Sequence, residues 1–131
     1  MNLPKYVRLQ GRETAWMTKK PIGIFGLCWR KVKDGTLNED DKIRFLETER
    51  WFVENLPYPP FYGENNDNAE ANINGAITYF KTCMPKVMFD KLIPLIELLD
   101  KHQILYDVVY TNFVGSIIYE DEFQVGTVDN E

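Results

Sequence analysis

The sequence predicts an α+β domain: a small, largely antiparallel sheet of about four to five strands, covered on one face by three helices. Three observations lead there. Residues 5–10 and 106–111 alternate apolar and polar side chains over strand length. Residues 39–55 and 86–101 keep the three-and-four spacing of amphipathic helices. The chain then closes with two apolar runs, 117–119 and 123–128, on either side of Glu120-Asp121, which is the pattern of a hairpin.

The elements follow in order. Lys5 to Gln10 reads as the first strand, ended by Gly11, and Arg12 to Pro21 as a polar connection. Gly23 to Lys33 is a short, mostly buried helix with a basic C-terminal end that suits the helix dipole, and Asp34-Gly35 stops it. Asn38 is placed to cap a second helix whose first turn is acidic (Glu39, Asp40, Asp41) and which Pro57 and Pro59-Pro60 terminate. The short loop between these helices predicts an antiparallel helical hairpin. Ala76 to Phe80 has the composition of a buried strand and leads into the longest helical pattern, 86–101, where Pro94 predicts a kink.

At 131 residues the chain is one domain, 1–131, with a core of its own and a long polar loop at 57–75. No run of about 18 apolar residues exists to span a membrane. The N-terminus lacks the apolar segment of a signal peptide, and Cys28 and Cys83 lie far apart in apolar surroundings. A cytoplasmic protein with reduced thiols is the expectation. Net charge is −5, unevenly spread: residues 1–33 hold eight basic residues and one acidic, a net +7, and the remainder seven basic and nineteen acidic, a net −12. Either the molecule has one basic and one acidic surface, or the two regions interleave and neutralise each other.

Common catalytic and cofactor signatures are absent. Two distant cysteines and one histidine do not make a zinc site. Gly23-Ile-Phe-Gly26 is not a phosphate loop, and no HExxH, GxSxG or calcium-loop spacing occurs. No cofactor or metal is implied. His102, at the end of the longest helix, suits the dipole there; Cys83, at a strand-to-helix junction, reads either as a reactive thiol or as a small buried residue beside Phe80 and Met84, and Cys28 as core.

Two surfaces remain as candidates. One is acidic: Glu120, Asp121 and Glu122 at the hairpin tip, with Tyr62, Glu64, Asp67 and Glu70 from the long loop, all suited to a protein partner with a basic surface. The other is basic: Arg8, Arg12, Lys19 and Lys20, which could hold an anionic small molecule such as a nucleotide. Nucleic acid is not the expected partner of so acidic a chain.

Several segments carry a resemblance: Gly23-Ile24-Phe25, Trp51-Phe52 with Leu56-Pro57, Ala76 to Lys81, and Ile118 to Val125. On these the chain resembles a family of small bacterial hypothetical proteins to which no activity is attached. The resemblance implies a stand-alone bacterial or mobile-element protein and brings no functional residues with it. The expected function is therefore binding, with another protein engaged through the acidic surface in the manner of an inhibitor, immunity or anti-defence protein. The alternative is a binder of, or small enzyme on, an anionic small molecule held by the basic N-terminal segment.

Overall fold

The computed structural model describes residues 3–14, 19–60 and 75–129. Its order of elements is β1 (Tyr6–Thr14), β2 (Pro21–Gly23), α1 (Ile24–Lys33), α2 (Glu39–Asn55), β3 (Ile77–Lys81), α3 (Lys86–Asp90), α4 (Ile93–Lys101), β4 (Tyr106–Thr111), β5 (Ser116–Glu120) and β6 (Gln124–Val128). The fold is α+β, with an antiparallel sheet and three helical units, the third divided into α3 and α4.

β1 organises the sheet. Along one side it pairs with β4 without a register break, from Tyr6↔Thr111 to Gly11↔Tyr106. Along the other it pairs first with β3 (Tyr6↔Lys81, Val7↔Phe80) and then with β2 (Gln10↔Gly23, Thr14↔Pro21). β3 pairs with β6, and β6 with β5. The spatial order is β4-β1-β3-β6-β5, with β2 continuing the β3 side.

This order forces the sheet to curl. β4 and β5 are its outermost strands, yet only four residues, 112–115, join them. Flat, the five strands would be about 19 Å across at 4.8 Å spacing, and five extended residues reach at most about 17 Å. The ends to be joined also lie at opposite ends of the strands, since Thr111 is level with Tyr6 and Ser116 with Val128. Only a strongly coiled sheet brings them within reach.

The helices pack on one face through a core that includes Val7, Leu9, Phe80, Cys28, Phe45, Met88, Leu95 and Leu99. α1 and α2 run antiparallel, as their aromatic contacts show. Phe25 near the start of α1 meets Phe52 near the end of α2 edge-on at 5.0 Å, and Trp29 meets Phe45 at 4.9 Å. Each contact adds about 1 kcal/mol beyond the area it buries. Asn38 caps α2, its side chain accepting from the Asp41 N–H at 2.8 Å.

Three boundaries differ from the sequence reading. β1 continues through Gly11 because the missing side chain makes room for Leu27; a Cβ at Gly11 would lie 2.7 Å from Leu27 Cδ2. The expected connection, Arg12 to Pro21, is shortened at both ends, since β1 runs to Thr14 and the short strand β2 begins at Pro21. The helical pattern at 86–101 is two helices, not one kinked helix. The break at Lys91-Leu92 puts Pro94 in the first turn of α4, where a missing N–H costs no hydrogen bond.

Candidate interaction surface

The acidic hairpin tip is built as a turn. Asp121 Oδ1 accepts from the N–H groups of Phe123 at 2.7 Å and Gln124 at 3.0 Å. Its other oxygen accepts from the Tyr119 hydroxyl at 2.6 Å and from Gln124 Nε2 at 3.1 Å. Gln124 is buried, and the same amide nitrogen donates to the Pro57 carbonyl at 2.7 Å, fixing the end of the long loop to the sheet. Burial, with the hydrogen bond to Asp121 and its negative charge, pushes the Tyr119 hydroxyl up to about 12. Glu120 is 2.6 Å from Lys81 Nζ, and this bond raises the lysine pKa. Glu122 is exposed. Tyr62, Glu64, Asp67 and Glu70 lie outside the described residues.

The four candidate cations are dispersed in role. Arg8 is buried, its Nη2 donating to the Pro21 carbonyl at 2.6 Å and its Nη1 to the Thr78 carbonyl at 3.4 Å. Arg12 is exposed and pairs with Asp107 at 3.4 Å, and Lys20 pairs with Asp129. Lys19 adopts a left-handed backbone conformation, φ +60°. Arg12 and Lys20 thus meet acidic residues from the last quarter of the chain, so the basic and acidic regions interleave at these points.

A shallow cleft of about 210 Å³ lies between α2 and α4. Its charged groups face one another: Arg44 pairs with Glu97 at 3.1 Å and Lys101 with Asp41 at 2.8 Å. His102 Nε2 is 3.4 Å from the same Asp41 oxygen. The hydrogen bond from Lys101 holds the Asp41 carboxyl below the usual carboxylate range against partial desolvation, with the nearby His102 adding to the lowering. A carboxylate so stabilised is a poor proton acceptor. Burial pushes the Cys28 thiol up to about 12, whereas Cys83 is exposed. No group of three or more potential metal ligands occurs among the described residues, and no helix there is long and apolar enough to cross a membrane.

The unusual surface is apolar. Leu105, Val108, Tyr110, Phe113, Ile117 and Ile118 are all exposed, Phe113 at 88%. They occupy one stretch of chain, running from the entry to β4 through the edge-to-edge connection into β5. Their exposure has a definite cause in the topology. Tyr110 and Val108 are paired with Val7 and Leu9 of β1, so they project from the same face of the sheet. Val7 and Leu9 are buried beneath the helices at 3% and 7% exposure, while Tyr110 and Val108 remain at 54% and 48%. The helical cover falls away along β4: Tyr106 at its start still packs against the core, while Val108 and Tyr110 overhang it.

The alternation of 106–111 correctly predicts a strand, but alternation does not distinguish an edge from an interior strand. The absence of lysine and proline from this segment is the only local sign of something unusual. Comparison with known proteins found no matching family model, no matching curated protein and no matching solved structure.

Proposed function

We propose that this chain acts by binding another protein chain, and that the apolar stretch 105–118 is its recognition surface. The carrying observation is the concentration of exposed large apolar side chains on β4, the 112–115 connection and β5, with Phe113 almost fully in solvent. Single exposed apolar residues are ordinary, but a run of them at a sheet edge is characteristic of an interaction site. The action is occupation of a partner surface, as in an inhibitor, immunity or anti-defence protein. The histidine–carboxylate pair, His102 and Asp41, gives little support to turnover, because Asp41 is already bonded to Lys101.

The acidic reading is narrower. Of the tip carboxylates Glu120 and Glu122 are exposed, but Glu120 pairs with Lys81 and Asp121 closes the turn, which leaves Glu122 as the one to test. It serves as a charged rim to the apolar surface, favouring a partner with complementary basic residues.

The test is capture from a native lysate on immobilised wild type, Phe113→Asp and Glu122→Lys, with each variant first shown to melt like wild type. A stoichiometric partner retained at moderate salt, lost with Phe113→Asp and weakened with Glu122→Lys, is the expected result. Equal recovery on all three would exclude this surface.

A further inference from the structure

We propose that the outer edge of β4 pairs with β4 of a second copy, antiparallel about a two-fold axis at Val109, so that one sheet continues through both molecules. This rests on the reading of 105–118 as a recognition surface and assigns the β4 edge of that stretch to a second copy of the chain.

Nothing among the described residues pairs with or guards this edge. Among the described residues β4 pairs only with β1, leaving the backbone groups on its other side available to a further strand. Exposed edges are ordinarily protected by lysine, proline, a bulge or shortness. β4 has six residues in unbroken register with β1 and contains neither lysine nor proline. Its one charge, Asp107, is matched by Arg12 of its own chain.

The strand is complementary to itself. A two-fold axis at Val109 sets Val108 opposite Tyr110 of the second copy, and Tyr110 opposite its Val108. The two overhangs then form one floor of four apolar side chains, on the face already shared with Val7 and Leu9. Asp107 falls opposite Thr111 of the second copy, so no like charges meet. Moving the axis to Val108 would set Asp107 against a valine, and an axis between two residues would place side chains on mismatched faces. The Val109 register alone keeps valine against tyrosine and the carboxylate against a hydroxyl. Such a contact is isologous: it consumes the β4 edge of both copies and closes at two.

Each copy carries a net charge of −5, so long-range repulsion opposes the pairing while the contact itself is locally neutral. Added salt should therefore strengthen the dimer, in contrast to an association held by ion pairs.

The experiment is sedimentation equilibrium of the full chain over a wide range of concentration, at low and moderate salt. The wild type should rise from 15.4 kDa toward twice that mass, more readily in salt. Val108→Lys and Tyr110→Lys, both at exposed positions, should melt like wild type when dilute and raise the dissociation constant at least tenfold, about 1.4 kcal/mol. A wild type that stays monomeric throughout, or variants that dimerise as well as it does, overturns the pairing. The capture experiment separates the two claims. A monomeric chain that loses its captured partner with Phe113→Asp retains the recognition surface without self-pairing. A monomeric chain whose capture is unaffected retains neither.

Discussion

The Arg8 guanidinium donates through Nη2 to the carbonyl oxygen of Pro21 at 2.6 Å. Its Nη1 reaches the Thr78 carbonyl at 3.4 Å, so one buried side chain ties β1 to the start of β2 and to β3. Gly23 makes room for it, because a Cβ there would stand 3.0 Å from Nη1.

Replacing Arg8 should therefore damage stability before it affects any ligand. Hydrogen bonds to a charged group contribute about 1.5–3 kcal/mol each, and losing them removes the tie between β1 and the part-buried carbonyls of Pro21 and Thr78. Arg8→Met should destabilise the fold by about 2–4 kcal/mol, read as a lower urea midpoint. Arg8→Lys should recover less than half of the loss, because an ammonium lacks the planar fork that reaches two carbonyls. A midpoint for Arg8→Met within error of wild type would contradict this role.

Arg8 also marks where the sequence stops being informative. The alternation of 5–10 places Val7 and Leu9 inside and Arg8 outside, which is correct for the helix-covered face. The opposite face is buried too, since Arg8, Val125 and Thr127 lie there at 7%, 0% and 2% exposure. That burial belongs to a curled sheet whose outer strands are joined by four residues, a long-range arrangement with no local signature. Capping is local, so Asn38 and the start of α2 were legible. So were the strand at 106–111 and the C-terminal hairpin. The open side of β4 was not, because a strand's own residues do not say whether a neighbour covers them.

Asp41 should give the fold an acid-sensitive contact between α2 and the end of α4. Its folded-state pKa is depressed, chiefly by the hydrogen bond from Lys101, so the ionised carboxylate favours the native state. That contribution is complete above the unfolded value of about 3.9 and is lost as pH falls through the lower folded value. Asp41→Asn should be less stable than wild type near neutrality, with the difference closing below about pH 4. Urea midpoints of both proteins measured down the pH scale provide the check. A difference that stays constant into acid would show that the carboxylate charge is not the source.

Gly115 and Gly35 provide a paired test of the edge-to-edge connection. Both have left-handed backbones, φ +84° and +75°, so alanine is strained at either. At Gly35, just past α1, an added Cβ meets nothing within 4 Å, and strain alone should cost about 1 kcal/mol. At Gly115 the same atom would sit 2.4 Å from the Val128 carbonyl oxygen, a backbone group that cannot swing aside. Gly115→Ala should therefore exceed Gly35→Ala by at least about 1–2 kcal/mol in denaturant unfolding, and should loosen the pairing of β5 with the end of β6. Faster amide exchange at Val128 would place the damage there. Equal costs for the two alanines would mean that the chain passes Val128 with room to spare, and that the turn from one sheet edge to the other is less confined than the 112–115 connection implies.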